Sequence, residues 1–274
     1  NYNSNMTSKV VNIRKSDIQN LTIPTQTIET QNNITIDFML NDSTGAQLVE
    51  QTDVEILLDG KSYKNLTITD GVLKTNVTMD ELLKGQYTIT IKLKENGLYN
   101  GKTFTAKVNI INRNGIVTIV EINDPKTMRD LIINTTVIDI RGDIVDQGVV
   151  TFKLDGIVIG TADVVNGTAN LTYMLPHDIF AGAHRVVAEF NDKYYNTNTT
   201  ESETNVIKSD INDVVIPDVT MKTLNTIPVD ITLNDEFARQ LVDESSVEIL
   251  INGTSYKNFT ITGGALKVDI PTDK

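Results

Sequence analysis

The chain has 274 residues, a formal net charge of −12 at pH 7 and no cysteine. The acidic balance excludes nucleic acid as a partner, because no basic patch could offset the repulsion of phosphate. The absence of cysteine excludes disulfides and thiolate metal sites. No run of about 18 apolar residues and no charged-then-apolar amino terminus occurs, so we expect neither a membrane span nor a signal peptide in this window.

Alternation of apolar and polar residues predicts half-buried β-strands along the chain. In chain order the clearest runs are 54–58, 87–93, 148–154, 169–175 and 185–190, and β-branched residues crowd them. Helix is almost absent, and the segment 80–83 is the best candidate for a single helical turn. The predicted core of the first repeat consists of Val54, Ile56, Leu58, Leu73, Val77, Tyr87, Ile89 and Ile91.

Hairpin turns recur at one position between these strands. The pairs are Asp59-Gly60, Asp155-Gly156 and Asn252-Gly253. Both central residues of a type I′ turn need a positive φ, which Asp, Asn and Gly tolerate best. The pattern predicts a hairpin in every copy of the unit, and strands of this length and spacing fit two-layer sandwiches.

The chain repeats itself at a fixed spacing. Residues 12–81 align without a gap on residues 205–274 at an offset of 193, and a more divergent unit lies at about half that offset. A period of about 96 residues suits an autonomous domain. We therefore predict the last strand of a preceding repeat at 1–11 and β-sandwich repeats at 12–110, 111–204 and 205–274, the last incomplete at its C-terminal end. The chain then represents part of a longer array.

The middle repeat carries an ordered set of short motifs. They are Gly142, Val149-Val150-Thr151-Phe152, Asp155-Gly156, Gly160-Thr161-Ala162, Val165-Asn166-Gly167, Ala169, Leu171, Tyr173, Ala181-Gly182, Val186, Ala188 and Tyr194-Tyr195. In this order they resemble a bacterial-type immunoglobulin-like repeat. More narrowly, the unit is similar to the repeats of large adhesin-like surface proteins of methanogenic archaea. The resemblance covers about 60 residues of this unit and the other two more loosely.

This resemblance implies an all-β fold of tandem antiparallel immunoglobulin-like β-sandwiches arranged as an extended rod. It also implies export to the cell surface and a role as stalk or adhesive module. Short linkers at 109–115 and 203–205 would favour a stiff fibre. The family has no shared active site, so the resemblance transfers no ligand and no binding residue.

Twelve Asn-x-Ser/Thr sequons occur, and they are candidate acceptors for N-glycans on exposed segments. Chance pairing at this composition would give roughly five. The alternative is that Asn and Thr are simply common surface and strand residues. The acceptor positions are Asn5, Asn20, Asn33, Asn41, Asn65, Asn76, Asn134, Asn166, Asn170, Asn198, Asn252 and Asn258.

Other chemistry finds weak support in the sequence, so we expect no catalytic residue, no metal ligand and no cofactor. His177 and His184 lack the spacing of a zinc site, and no nucleophile elbow occurs. Carboxylates at Asp139, Asp143 and Asp146, or at Asp42 and Glu50 beside Asn41, leave calcium as an alternative, although turn chemistry explains them equally well.

Two further features have simple explanations. The tripeptide Arg141-Gly142-Asp143 spells an integrin-binding motif, but the other copies do not repeat it and glycine is expected at a turn. A buried Lys15 or Lys208 could form an isopeptide crosslink, whereas exposed lysine is the ordinary case.

The leading hypothesis is a non-enzymatic repeat region that acts as a stalk or fibre in cell adhesion. Its partners would be neighbouring repeats of the same chain, other copies of the chain, or a host or partner cell surface. One alternative is an accessory carbohydrate-binding module of a secreted enzyme, which the 5% aromatic content and the absence of Trp disfavour. The other is a filament subunit that assembles by strand exchange at exposed edges.

Overall fold

The computed structural model describes residues 2–271, except residues 79, 215, 217, 219, 221, 223, 224 and 243. All regular elements formed by these residues are β-strands, which confirms the all-β class. Within this described part, no helix has the length and hydrophobicity needed to cross a membrane.

Internal contacts divide the chain into two compact units. One comprises Asn1–Ile116, Ile138–Gly148 and Phe190–Asn198, and the other comprises Val117–Val137, Val149–Glu189 and Thr199–Lys274. These units do not coincide with the sequence repeats, whose bounds stay a prediction. Each unit instead contains one junction between successive repeats.

Seven strands form the first repeat: β1 (Gln26–Glu29), β2 (Ile34–Met39), β3 (Thr52–Leu58), β4 (Lys61–Ile68), β5 (Val72–Val77), β6 (Gly85–Leu93) and β7 (Lys102–Ile111). They make a five-stranded sheet in the order β1-β7-β6-β3-β4 and a two-stranded sheet of β2 and β5. The pairing is antiparallel except for β1 and β7, which run parallel. The sandwich is therefore not purely antiparallel as predicted, because its first strand runs in the same direction as its last.

The core of this repeat confirms six of the eight predicted residues, since Leu58 and Tyr87 are only half-buried. The pairing register of β3 with β4 shifts between Ile56 and Leu57. This β-bulge interrupts the alternation, so that Ile56 and Leu57 are both buried, at 0% and 7% exposure. Tyr87 stays near the surface, where its hydroxyl donates to the carbonyl of Leu83 at 2.9 Å.

The predicted helical turn at 80–83 is wrong. Asp80 and Glu81 form a turn, and no helix follows at Leu82 and Leu83. Leu82 packs against the core of the first repeat. The side chain of Leu82 is half-buried, and the Tyr87 hydroxyl donates to the carbonyl of Leu83.

The middle repeat contains eight strands: β8 (Arg113–Ile122), β9 (Asp130–Asp139), β10 (Val149–Leu154), β11 (Ile157–Asp163), β12 (Thr168–Met174), β13 (Gly182–Asn191), β14 (Tyr195–Asn196) and β15 (Asn198–Val206). Their sheets have the orders β11-β10-β13-β15 and β12-β9-β8-β14. The first strand, β8, again has a parallel partner, here the short strand β14, with Arg113 opposite Tyr195. The largest buried side chains here include Phe152 and Phe190.

The third repeat has four described strands, β16 (Thr226–Thr232), β17 (Ser245–Ile251), β18 (Thr254–Ile261) and β19 (Ala265–Pro271). They pair as β16 with β19 and β17 with β18, over a small buried cluster of Leu233, Ile261 and Leu266. The bulge of the first repeat recurs between Phe152 and Lys153 and between Ile249 and Leu250. The three repeats therefore share local backbone geometry as well as sequence.

The predicted hairpin turns are confirmed. Both central residues have positive φ in each copy, with values of 46° and 79° at Asp59-Gly60, 50° and 86° at Asp155-Gly156, and 48° and 75° at Asn252-Gly253. The aspartates also tie the hairpin to a third strand. Asp59 accepts the N–H of Thr88 at 2.7 Å, and Asp155 accepts the N–H of Arg185 at 2.9 Å.

Candidate functional site: the joints between repeats

The first and middle repeats follow each other almost without a linker. Strand β7 ends at Ile111 and β8 begins at Arg113, so only Asn112 separates them. The N–H of Thr30 donates to the carbonyl of Ile111 at 2.8 Å. The predicted linkers at 109–115 and 203–205 are wrong in this respect, because residues of both segments continue strands β7, β8 and β15.

One tight turn recurs in all three repeats, and we call it the Asp turn. Its aspartate is Asp42, Asp139 or Asp235, and Oδ1 accepts the backbone N–H groups two and four residues further on, at 2.7 to 3.1 Å. This is the Asx pattern in which a side chain replaces a backbone acceptor. Asp139 and Asp235 are buried, whereas Asp42 is half-buried.

The residue three positions after the aspartate has a positive φ in each copy, but its identity differs. It is Gly45 at 85°, Gly142 at 90° and Ala238 at 61°. A left-handed conformation costs a non-glycine residue about 1–2 kcal/mol. The Asp turn of the third repeat therefore carries backbone strain that the other two avoid.

We expect Ala238→Gly to stabilise the third repeat. Relief of the strain exceeds the extra conformational entropy that glycine gives the unfolded chain by about 0.5 kcal/mol. Chemical denaturation followed by hydrogen exchange at the amide of Arg239 measures the change. Gly45→Ala, in the equivalent turn and with no atom within 4 Å of the added Cβ, should have the opposite sign. Two changes of the same sign would contradict this explanation.

On the middle-repeat side of the first joint, a buried ion pair connects β8 with the end of β9. Arg113 Nη2 lies 2.9 Å from Asp139 Oδ2, and the two side chains are 16% and 3% exposed. Burial opposes ionisation of Asp139, but the N–H groups of Asp143 and Arg141 and the charge of Arg113 outweigh it, so the pKa of Asp139 lies below its usual value. Arg113 also lies 5.7 Å from the centre of the Tyr195 ring, within the range of a cation–π contact.

Two further contacts link the first repeat to the Asp turn and last strands of the middle repeat. Arg141 Nη2 donates to Glu29 Oε2, and Thr30 Oγ1 donates to the carbonyl of Tyr194 at 2.6 Å. Thr30 is fully buried. The end of β1 and the turn that follows it therefore bond to two loops of the middle repeat, one at Arg141 and the other at Tyr194.

The joint between the middle and third repeats uses the same backbone positions. Lys126 Nζ donates to Glu236 Oε1, and it lies 3.3 Å from Asp210 Oδ2. The hydrogen bond that Lys126 donates to Glu236, with a further bond donated to Asp210, raises the pKa of Lys126 above its ordinary value. Thr127 Oγ1 lies 3.1 Å from Ser209 Oγ.

Aromatic and cationic side chains complete this second joint. The Arg129 guanidinium stacks 3.3 Å from the centre of the Phe237 ring. Arg239 donates to the carbonyl of Met128 and lies 3.4 Å from Asp235 Oδ2. The Asp turn of the third repeat thus contacts both side chains and a backbone carbonyl of the preceding repeat.

The charges at the two joints are reversed. Glu29 and Lys126 occupy equivalent places, since each pairs in parallel with the end of a last strand, at Ile111 and Ile207 respectively. The anionic Glu29 meets the Asp turn at Arg141, whereas the cationic Lys126 meets it at Glu236. Each joint therefore matches its own two repeats. If the repeats were exchanged, Glu29 would meet Glu236 and Lys126 would meet Arg141, which are pairs of like charge.

A cleft of about 330 Å³ lies beside the second joint. Its walls include Met128, His177, Phe180, Lys208 and Asp235. Phe180 is 68% exposed there. His177, which the sequence gave no role, is therefore a wall residue of this cleft.

The twelve sequon asparagines fall into two exposure classes. Asn41, Asn134 and Asn198 are half-buried, and the other nine are exposed. Asn134 Nδ2, the atom that would carry a glycan, donates to Glu121 Oε2 at 2.7 Å. Their modification stays a prediction.

Three of the carboxylates considered for calcium, those of Asp42, Glu50 and Asp139, are engaged by protein donors. Asp139 accepts N–H groups and Arg113, Asp42 accepts from Thr44 and Ala46, and Glu50 Oε2 accepts the N–H of Leu98 at 2.9 Å. In the described part of the chain, no three His, Asp or Glu side chains gather in an arrangement that could hold a metal ion.

The remaining candidate residues are also placed. Within Arg141-Gly142-Asp143, the arginine is engaged by Glu29 and the aspartate N–H by Asp139. Lys15 and Lys208 are exposed, whereas an isopeptide-forming lysine would be buried. Sequence reasoning missed Glu29, Arg113 and Lys126, although the recurrence of an aspartate at positions 42, 139 and 235 pointed to the turn they contact.

His184 forms a hydrogen-bonded pair with the hairpin aspartate. Its Nδ1 lies 2.7 Å from Asp155 Oδ2, and Nε2 lies 2.8 Å from the carbonyl of Phe180. The bond to Asp155 raises the pKa of His184 above the usual 6.5, and the bond to His184 lowers the pKa of Asp155 below the usual 3.8. Both shifts favour the charged pair.

The His184–Asp155 pair should stabilise the chain only over a defined pH range. The raised His184 pKa gives stability that is complete below pH 6.5 and is lost as the pH rises through the folded value, while the lowered Asp155 pKa gives stability that is lost as the pH falls below 3.8. We expect His184→Gln to cost about 0.5 kcal/mol near pH 5.5 and much less at pH 9. Urea denaturation at both pH values measures this, and a cost that is independent of pH would contradict it.

Comparisons with known proteins find similarity among solved structures. No protein-family model matches the sequence, and no curated protein matches it. Among solved structures, the chain is similar to a tetra-tandem repeat from the extending region of a large adhesion protein, with 17% identity, a TM-score of 0.37, and coverage of 94% of this chain and 66% of that one.

Two further structures are also similar. Fibronectin(III)-like modules of CbhA from Clostridium thermocellum share 15% identity over 70% of this chain and 94% of that one, with a TM-score of 0.32. A 1.5-MDa bacterial ice-binding adhesin shares 14% identity over 93% of this chain and 86% of that one, with a TM-score of 0.28.

Proposed function

We propose that this chain is the structural and adhesive repeat region of a large extracellular surface protein, and that it is not an enzyme. In this role the β-sandwich repeats serve as a stalk or fibre that presents or mediates attachment to a host or partner cell. The proposal includes the finer relationship to adhesin-like proteins of methanogenic archaea, which the middle repeat resembles. It also extends to this chain a role that the adhesins among the similar structures have.

The observation that carries the proposal is the construction of the joints. A single residue, Asn112, separates strands β7 and β8. Buried or half-buried side chains then cross each junction, among them Thr30, which bonds to the carbonyl of Tyr194, and Lys126, which pairs with Glu236. A junction with such a short connection and paired charges resists bending, as a stalk requires.

We expect Glu29→Arg to loosen the first joint, because it sets two cations together where an ion pair stood. The loss of the ion pair and the new repulsion should together lower the free energy that holds the first joint closed by about 1 kcal/mol. Since the chain has no cysteine, Thr105→Cys and Ile144→Cys give unique spin-label sites on the two sides of Asn112. Pulsed electron resonance should show a broader distance distribution in the variant.

The charge swap supplies the control for this experiment. Adding Arg141→Glu to Glu29→Arg restores opposite charges with reversed polarity, and the distribution should narrow again. An unchanged width in the single variant, or no recovery in the double variant, would show that the ion pair does not hold the joint.

Adhesion itself is tested by flowing beads coated with the unglycosylated chain over whole cells, a polysaccharide layer and a layer of the chain itself. Retention on cells, above that of beads carrying an unrelated acidic protein, is expected. Retention on the polysaccharide alone would favour the carbohydrate-binding alternative, and retention on the chain alone would favour strand exchange. No retention, together with a flexible joint, would refute the proposal.

A further inference from the structure

The sequons that lie within strands are concentrated at sheet edges. Five of them lie on strands that end their sheets, namely β4, β5, β12, β15 and β18, and one lies on the interior strand β9. The edge asparagines are Asn65, Asn76, Asn170, Asn198 and Asn258, and the interior one is Asn134. Edge strands offer unpaired backbone groups to other chains, and proteins commonly protect them.

The edge asparagines point away from the core. In β4, Leu66 and Ile68 face inward, so alternation directs Asn65 and the sequon's Thr67 outward together. In β5, Asn76 lies beside the fully buried Val77, and in β12 Asn170 lies beside the buried Ala169. The sequon spacing of two residues thus puts acceptor and hydroxyl on one exposed face.

Hydrogen bonding separates the edge positions from the interior one. Asn76 and Asn170 use the oxygen of the amide, which accepts from Thr35 Oγ1 at 3.1 Å and from the N–H of Thr135 at 3.3 Å. Asn134, directly opposite Asn170 in the ladder, instead donates its Nδ2 to Glu121. Attachment of a sugar to Asn134 Nδ2 would have to displace that bond, whereas the bonds at the edge positions leave Nδ2 unused.

We propose that Asn65, Asn76, Asn170 and Asn258 are N-glycosylated in the folded chain, that Asn134 is not, and that the glycans prevent edge-to-edge pairing. This inference rests on the proposed extracellular role. The glycosyl donor is a lipid-linked glycosyl diphosphate: Nδ2 forms a bond to the anomeric carbon, the bond from that carbon to the diphosphate oxygen breaks, and the amide proton is lost to a base. The transferase must lift the acceptor strand, which breaks one ladder at an edge and two in the interior.

In vitro transfer tests the assignment. The folded 274-residue chain is incubated with a single-subunit oligosaccharyltransferase that accepts Asn-x-Ser/Thr and with its lipid-linked donor, and site occupancy is mapped by mass spectrometry. Initial rates at the four edge positions should exceed the rate at Asn134 by about tenfold or more. Synthetic peptides that span the same sequons should show no such difference. Equal rates in the folded chain, or a preference already present in the peptides, would overturn the proposal.

The protective effect is tested on the glycosylated chain. Replacement of the four edge asparagines by glutamine should raise the rate of aggregation, followed by light scattering near the midpoint of thermal unfolding, by about threefold or more. The matched control replaces four turn or loop asparagines, Asn5, Asn20, Asn166 and Asn252. An equal rise in the control would show that the glycans act only through general solubility and that edge protection is wrong.

Discussion

Asp139→Ala should be among the most disruptive single substitutions at the end of the middle repeat that faces the first joint, with a loss of about 3 kcal/mol in the free energy of local opening. The change removes the acceptor for two backbone N–H groups and leaves the Arg113 guanidinium, which is only 16% exposed, without its carboxylate. An uncompensated buried charge is the costly part, since the same pair replaced as a whole would cost far less.

Hydrogen exchange is the suitable measurement, because a chain of several repeats need not unfold in one step. The amides to follow are those of Arg113 and Ile140, which bond to the carbonyls of Tyr194 and Asn114 and do not contact the substituted side chain. Their protection should fall by roughly a hundredfold, the equivalent of about 3 kcal/mol. Unchanged protection at both amides would show that the ion pair does not hold this end of the middle repeat together.

Two variants separate the charge from the turn. Asp139→Asn keeps an acceptor for the turn N–H groups but loses the charge, so it should cost about half as much. Adding Arg113→Met to Asp139→Asn should recover part of the loss, since no buried charge is then unpaired. If the stability change of the double variant equals the sum of the changes for Asp139→Asn and Arg113→Met alone, Arg113 and Asp139 are not energetically coupled.

The acid response of the joint follows from the same carboxylate. Because the pKa of Asp139 is lowered in the folded chain, its contribution is present above the usual value of 3.8 and is lost as the pH falls through the lower folded value. The difference between the original chain and Asp139→Asn should therefore shrink in acid and stay constant from pH 5 to pH 8.

Local features of the fold could be predicted from the sequence because they depend on near neighbours. The pairs Asp59-Gly60 and Asp155-Gly156 needed only the backbone preferences of their own residues to be recognised as hairpin turns. Alternation likewise located Val54 and Ile56 in the core. It failed at Leu57 and Leu58, because a bulge that depends on strand pairing changes which side faces inward.

The joints could not be predicted in the same way, because their contacts join residues that are far apart in the chain. Glu29 meets Arg141 and Lys126 meets Glu236 across about 110 positions. A charge in a polar loop is ordinarily solvated, so nothing in the sequence distinguished these side chains. The recurring aspartate of the Asp turn was visible, but its partner Arg113 depends on how the middle repeat folds around Tyr195.

Gly148→Ala should have the second large effect, with a loss of about 3 kcal/mol in stability. Gly148 has a φ of 93°, and a Cβ there would lie 2.6 Å from Phe190 Cε2 and 2.9 Å from the carbonyl oxygen of Asn191. Phe190 is fully buried, so its ring has no room to turn away. Overpacking and backbone strain therefore add together, and denaturation of the full chain should show a lower midpoint.

Gly142→Ala is the matched control, because it has nearly the same φ of 90° but no atom within 4 Å of the added Cβ. It should cost about 1 kcal/mol, which is the strain alone, and the Asp turn of the third repeat already accommodates an alanine at this place as Ala238. The difference in stability loss between the two substitutions measures how closely β13 packs against the end of the loop that connects β9 and β10. Equal costs would mean that Phe190 and Asn191 yield to the methyl group, and that this end of the middle repeat is less tightly packed than its buried residues indicate.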